Sequence, residues 1–293
     1  LSGPSKTLLR GFHVILTLVG VFWALGIDQI LGWTLFKEQY LGFFLALGLG
    51  SVFLGVKAHV SERGNRVPWY DWALTVGGLL SGLYVTILYP TLVHELGVLF
   101  AERWLLGGLA ILLILEATRR VAGWALVWVA VVCILYAKFA YLLPGLLYGK
   151  GASWPRIATY LYLDANGLFG LPLLVAATIV VAFILFGQAL YAVGGDKFLT
   201  DLSLVAMGRY RGGSAKVAIV SSTLFGTVSG SAVANVVVDG AITIPMMKRG
   251  GYPPHLAAAI EAVASNGGQI MPPVMGTAAF LIAEFLNIPY GEV

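Results

Sequence analysis

The chain has 293 residues, 59% of them apolar and only 11% charged, with a formal net charge of +4. Soluble domains carry about a quarter charged residues, and the mean hydropathy here is +0.88. A soluble fold, a disordered chain and a disulfide-stapled scaffold are excluded, which leaves an integral membrane protein.

Apolar windows long enough to cross a bilayer fall at about 8–27, 40–60, 69–89, 103–118, 121–142 and 171–193. Long stretches without Lys, Arg, Asp or Glu favour helices over a barrel of short alternating strands. The run from Leu8 to Ile30 lacks a small-residue cleavage site and is read as a span, not a leader. The chain starts at Leu1 and ends on Gly-Glu-Val, and is expected to be a piece of a longer polypeptide. Gly42, Gly48, Gly50 and Gly55 sit inside the second span, where small residues let helices approach closely. The single cysteine, Cys133, permits no internal disulfide and is expected as a buried small residue. Trp33, Trp69, Tyr70, Trp72, Tyr89, Trp104 and Tyr141 cluster near span ends, as in a headgroup belt.

With the N-terminus in the cytoplasm, thirteen of the eighteen Lys and Arg residues fall in cytoplasmic segments, so this orientation is expected. The stretch from Ser153 to Gly170 then lies outside, along the interface. Composition shifts near Arg119-Arg120. Four plain spans precede that point, and small polar residues and prolines follow it.

Between Lys216 and Lys248 there is no Lys or Arg. As one helix this stretch would be about 47 Å long, too long for a hydrocarbon core of about 30 Å. Both ends are basic, so both are expected in the cytoplasm. Phe225-Gly226-Thr227-Val228-Ser229-Gly230-Ser231 in the middle makes a poor helix centre. The pattern predicts a re-entrant hairpin at about 214–248, turning at Ser229-Gly230-Ser231. Non-helical backbone at that depth survives only where it is buried in protein or lines a wet cavity. The arm beginning after Ser231 aims free N–H groups and a positive dipole end at the tip, which suits an anion.

A second break follows. From Pro253-Pro254-His255 an apolar helix runs to Ala264, breaks at Ser265-Asn266-Gly267-Gly268-Gln269, and resumes after Pro272-Pro273 (overall about 254–287). The prolines remove the N–H groups that would pair with the Gly268 and Gln269 carbonyls. Free carbonyls with Asn and Ser oxygens suit a hard monovalent cation. Asp239 and Glu261 are the intramembrane acids, each a handle for a proton or cation or else a structural partner; Glu284 reads as interface. Catalytic signatures are absent: Ser229 has only the distant His255 as a base, and there is no HExxH, Walker A or CxxC. An enzyme is not expected, and neither is nucleic-acid binding.

Three motif runs resemble the large permease subunit of TRAP transporters. They are Arg209 to Lys216 continuing through Phe225 to Asn235; Ile244-Pro245-Met246-Met247-Lys248-Arg249-Gly250-Gly251-Tyr252; and Gly267-Gly268-Gln269-Ile270-Met271-Pro272-Pro273. The wording Gly-Gly-Gln-Ile-Met-Pro-Pro-Val-Met-Gly is similar to the TAXI branch, in which a small four-helix subunit is fused to the large one. The resemblance covers about 185–293, and residues 1–120 match only as four spans in the right place.

The resemblance implies an all-α integral membrane protein. A small-subunit-like four-helix region would occupy 1–120. The first inverted-repeat half of an elevator-type transporter would occupy 121–293, without the second hairpin. It implies ion-coupled import, across a bacterial or archaeal cytoplasmic membrane, of a small carboxylate-bearing solute delivered by a soluble periplasmic TAXI-type binding protein. Substrate contacts are expected from Ser229, Gly230, Ser231 and Asn266. Ion contacts are expected from Ser229, Ser231, Asn235, Gly268, Gln269 and Pro272, with sodium placed at Ser231, Asn235, Gly268 and Gln269. No cofactor is implied, and the coupling ion is sodium or a proton. A symporter working without a binding protein and a gated channel are the alternatives.

Overall fold

The computed structural model describes residues 4–58, 67–95, 98–272 and 275–293, with backbone alone described at Pro4, Ser229 and Ala234. The described residues form helices and turns, with no strand among them. Five of these helices are long and apolar enough to cross a membrane: Ser5–Ala24, Lys37–Gly55, Trp69–Glu95, Trp124–Leu142 and Leu171–Ala192. The protein is a multi-pass membrane protein. The remaining expected span, 103–118, lies in a 22-residue helix, Ala101–Ala122. Glu102 and Arg103 at one end, with Glu116, Arg119 and Arg120 at the other, leave only a short uncharged middle.

Contacts divide the chain into residues 1–177 and 178–293. The first unit holds α1 (Pro4–Ala24), α2 (Ile27–Ile30), α3 (Lys37–Gly55), α4 (Trp69–Leu92), α5 (Ala101–Ala122), α6 (Trp124–Phe139), α7 (Trp154–Leu163) and α8 (Leu171–Val175). Helix α5 packs on both α4 and α7, and the contacts of the first unit continue past Arg120.

Helix α3 is the centre of the first unit and packs most extensively on α4. Small residues permit the approach: a Cβ on Gly82 would lie 2.5 Å from the Gly42 carbonyl oxygen and 2.6 Å from Ala46 Cβ. Gly48, by contrast, faces open space. A core of Tyr40, Leu41, Val85, Tyr89, Ala110, Tyr162, Leu163 and Phe169 ties α3, α4, α5 and α7 together. A π-helical turn at Ala176–Val180 loosens the i→i−4 ladder, and the Tyr40 hydroxyl donates to the Ala177 carbonyl there.

Two arginines that count as loop charges in the sequence are buried in ion pairs. Arg120 reaches Asp71 on α4 at 2.7 Å and Glu116 at 2.7 Å, with its side chain 1% exposed. Arg103 meets Glu95 at 2.7 Å.

Many large apolar side chains are exposed. Helix α6 buries only Val127 and exposes Trp128, Val129, Val132, Leu135 and Tyr136, the arrangement for a helix whose solvent is acyl chain. Cys133 corrects an expectation here: it is exposed, not buried. On a helix apolar all round, hydropathy cannot tell a face against protein from a face against lipid. Helix α7, in the stretch expected along the interface, buries Ile157, Ala158, Tyr162 and Leu163 and exposes Trp154 and Tyr160.

The second unit holds α9 (Val181–Ala192), α10 (Gly195–Met207), α11 (Gly213–Ser229), α12 (Ala232–Val238), α13 (Gly240–Arg249), α14 (Pro254–Gly267) and α15 (Thr277–Leu286). Its hub is α11, which packs against α9, α10, α12, α13 and α14. Ala215, Ala218, Met247 and Ala257 form its apolar base.

Candidate ion and substrate site

The chain from Gly213 to Arg249 goes out along α11, turns, and comes back along α12 and α13, both of which pack on α11. The turn is made by Gly230, at φ 61°, a backbone conformation that costs glycine little. Its N–H closes on the Gly226 carbonyl at 2.9 Å. The returning arm differs from a single half-helix. After seven residues in α12 the regular helix gives way at Asp239, and α13 follows. Helical bonding still bridges the join, with Asp239 N–H on Asn235 O and Thr243 N–H on Asp239 O, both at 2.9 Å. The dipole aimed at the tip is therefore that of a short segment.

The broken helix is also displaced from its expected position. Helix α14 continues to Gly267, so Ser265 and Asn266 are helical; residues 268–272, 275 and 276 are not, and helix is next described at Thr277. Met275, a non-glycine residue, stands at φ 58°, an uncommon conformation that tends to mark functional sites. The Gln269 carbonyl, expected free, accepts the Gly276 N–H at 2.7 Å. One of its lone pairs is therefore taken. Pro273 lies outside the described residues.

Tip and break meet at two glycines. A Cβ on Gly226 would stand 2.4 Å from Gly268 Cα, and one on Gly230 would stand 2.6 Å from the Met275 carbonyl oxygen. Only bare backbone fits at either crossing. The Gly230–Met275 approach borders a cavity of about 240 Å³ lined by Val180, Phe183, Ile184, Gly230, Ser231, Gln269, Met275, Thr277 and Phe280. Phe183 stacks on Phe280 at 5.5 Å and walls the apolar side. The polar side is hydroxyl and amide, with no Lys or Arg in the lining.

Of the expected site residues, Gly230, Ser231 and Gln269 line this cavity, and Gly268 forms its glycine crossing. Asn266 does not join them. It sits on an exposed face with its amide donating to the Ala262 carbonyl of its own helix at 3.0 Å. Pro272 is exposed and outside the lining. The Ser229 side chain lies outside what is described. Asn235 is fully buried beneath the tip and donates to the Ser222 carbonyl at 2.7 Å and the Ser222 hydroxyl at 3.0 Å. Its Oδ1 has no hydrogen-bond partner. A buried acceptor in that state suits the oxygen-ligated cation expected there.

Asn235 opens onto a polar network that hydropathy conceals. Ser222 Oγ reaches Glu261 Oε1 at 3.1 Å and Ser265 Oγ at 3.0 Å; Thr243 Oγ1 donates to Glu261 Oε2 at 2.5 Å; Ser221 Oγ donates to Asp239 Oδ1 at 2.9 Å. Glu261, Ser222, Ser265, Thr243 and Asn235 are each 0% exposed, and Asp239 is 5% exposed. The spacing carried a signal. Asn235, Asp239 and Thr243 recur every fourth residue, as do Glu261 and Ser265, which puts each set on one helical face. Glu284 is exposed, as are His94 and His255. Among the described residues no group of three His, Cys, Asp or Glu side chains could hold a metal ion.

Residues 109–293 match the family described as tripartite ATP-independent periplasmic transporter, DctM component. Similar curated proteins include the 2,3-diketo-L-gulonate TRAP transporter large permease of Escherichia coli, 31% identical over 106 residues, 36% of this chain and 25% of that one. The C4-dicarboxylate TRAP transporter large permease of Pseudomonas aeruginosa is 36% identical over 94 residues, 32% of this chain and 22% of that one. The isethionate TRAP transporter permease of Oleidesulfovibrio alaskensis is 36% identical over 91 residues, 31% of this chain and 14% of that one. The chain spans about a quarter of the length of the curated relatives it matches. No solved structure matches it.

Proposed function

We propose that this chain, which belongs to the DctM-component family of tripartite ATP-independent periplasmic transporters, carries the first transport repeat of an ion-coupled importer for small organic acids. The family is one of transporter permeases, not of enzymes. The observation that carries the proposal is the cavity where the hairpin tip meets the helix break, lined by Ser231, Gln269 and Thr277 and walled by Phe183 and Phe280. Its volume, about 240 Å³, suits a solute of few heavy atoms. Relatives named for C4-dicarboxylates and for 2,3-diketo-L-gulonate support a carboxylate.

In this proposal Ser231, Gln269 and Thr277 orient the carboxylate through hydroxyl and amide groups. No Lys or Arg lines the cavity, so the charge is offset by a coupling cation, sodium or a proton, close by. Asn235, with its buried Oδ1 and its amide locked on Ser222, joins Ser231, Gly268 and Gln269 as the residues that would hold a sodium ion. Such a site is weak alone, which fits delivery from a high-affinity soluble carrier of the TAXI type at the outer face of a cytoplasmic membrane. The hairpin is re-entrant from the cytoplasm, with the chain's N-terminus also cytoplasmic. Residues 1–120 serve as the fused small-subunit region, and residues 121–293 as the first half of an elevator.

The test is uptake by the full-length protein in proteoliposomes, with and without its binding protein on the outer face. Ion-driven carboxylate uptake that needs the binding protein supports the proposal. Uptake undiminished without it favours a stand-alone symporter, and single-channel currents favour a channel.

A further inference from the structure

Glu261 and Asp239 are both buried, and no ion pair among the described residues involves either one. A carboxylate out of water must be paired, hydrogen-bonded or neutralised. The two solve this differently. Glu261 is surrounded by three hydroxyls: Ser222 Oγ at 3.1 Å and Ser265 Oγ at 3.2 Å on Oε1, and Thr243 Oγ1 at 2.5 Å on Oε2. Gly240 makes room for it, since a Cβ there would meet Glu261 Cγ at 3.2 Å. Asp239 has one donor, Ser221 Oγ at 2.9 Å on Oδ1, and its Oδ2 is buried with no partner.

Among the described residues from 178 onward, three buried side-chain atoms lack a hydrogen-bond partner: Asp239 Oδ2, Asn235 Oδ1 and Tyr191 Oη. All three are oxygens. Asn235 precedes Asp239 by one helical turn, with Asp239 N–H on Asn235 O at 2.9 Å, so the two side chains share a face. The Asn235 amide cannot turn over, because its Nδ2 must face the Ser222 carbonyl at 2.7 Å, where an oxygen would meet only another acceptor. Tyr191 Oη lies within electrostatic reach of Asp239, as do Glu261 and Asp196.

Two orphaned acceptors, one of them on a buried carboxylate outside any ion pair, call for a partner that is positive and takes several oxygens at once. A proton on Asp239 Oδ2 could be donated to Asn235 Oδ1, but it would leave the lone pairs of Tyr191 Oη and Ser221 Oγ unused. An alkali cation answers both and can use the lone pairs of Tyr191 Oη and Ser221 Oγ as well. Asp239 is the one carboxylate among the proposed ligands, the other oxygens being neutral, which suits a singly charged ion.

We propose that Asp239 Oδ2 and Asn235 Oδ1 hold a sodium-class monovalent cation, below the hairpin tip, with Ser221 and Tyr191 beside it. The site deepens the proposed ion coupling and rests on that reading for the use of the ion in transport. Asn235 Oδ1 is the ligand this site shares with the proposed tip contacts; Asp239, Ser221 and Tyr191 belong to none of them.

Binding is tested without uptake, on purified full-length protein. Thermal unfolding is followed while sodium chloride replaces choline chloride at constant ionic strength, and bound radiolabelled sodium is counted per protein. Asp239→Asn is expected to raise the half-saturating sodium about tenfold or more and to bind one sodium fewer. Its unfolding in choline should be no earlier than wild type, because a buried charge has gone. Ser221→Ala, which keeps the carboxylate, is expected to weaken sodium by a smaller factor, and it decides the matter if the Asp239 variant does not fold. Asp201→Asn, an exposed acid of the same unit, should respond as wild type. Wild-type sodium affinity and stoichiometry in Asp239→Asn or, if that variant does not fold, in Ser221→Ala would overturn the site. So would an effect of Asp239→Asn on the pH response alone, which would make the ligand a proton. Intact sodium binding with no uptake in the presence of the binding protein would instead count against the transport reading and leave this site standing.

Discussion

Replacing Gly268 by alanine is the sharpest steric probe of the junction between tip and break. Its Cβ would stand 2.4 Å from Gly226 Cα, and 3.1 Å from Gly226 C. Carbon atoms in contact sit about 3.5–4.0 Å apart. The two backbones would have to part by roughly 1.1–1.6 Å, and no side-chain rotation can relieve the clash because both obstacles are main chain. Overpacking typically costs about 1–3 kcal/mol, and an unyielding contact belongs in the upper half of that range. At about 2–4 °C per kcal/mol for a domain of this size, the unfolding midpoint should fall by roughly 4–12 °C. Parting the backbones also separates Ser231 from Gln269 across the cavity, so uptake should fall further than stability alone requires. Gly267→Ala is the internal control, because its Cβ would meet nothing nearer than Thr223 Oγ1 at 3.9 Å. Scanning calorimetry or dye-based melting of the full-length protein reads both variants. A Gly268→Ala protein that melts with wild type and transports normally would refute the crossing.

Other outcomes follow from the same packing. Arg120→Gln should cost about 3–5 kcal/mol, because it strands Asp71 as a buried charge without its partner; a midpoint unchanged in melting experiments would show the pair to be dispensable. Ser222→Ala removes a hydroxyl shared by Asn235, Glu261 and Ser265 and should cost about 1–3 kcal/mol, again read by melting. Asn235→Ala should raise the half-saturating sodium for uptake or shift its pH profile, and an unchanged ion response with full uptake would remove Asn235 from the ion contacts.

Much of this architecture was legible because its signals are coarse. Five of the six expected spans match helices fit to cross a membrane. The turn between α11 and α12 showed itself through a glycine-serine centre. What escaped depends on partners, which periodicity does not name. Arg120 and Arg103 read as loop charges, yet acids from neighbouring elements bury them. Cys133 reads as core because lipid and protein interiors are equally apolar. The prolines do remove helical donors from the break, but Gly276 supplies one to Gln269 from beyond it. Serines 221 and 222 look like fillers of an apolar helix, since a hydroxyl bonding its own turn and one reaching across to a carboxylate have the same letter. The four-residue recurrences, Asn235 with Asp239 and Thr243 and Glu261 with Ser265, are what the sequence carries of these polar faces.

The most direct test of the central claim, that residues 213–249 enter and leave the membrane on one side and place their tip in the site, is accessibility labelling of cysteines in intact, oriented vesicles. Cys133 is exposed and is first replaced by serine. Single cysteines at Lys216 and Lys248 are expected to react with an impermeant reagent from the cytoplasmic side only, while one at Gly151 reacts from the outside only. Labelling of positions 216 and 248 from opposite sides would make this segment an ordinary span and contradict the hairpin.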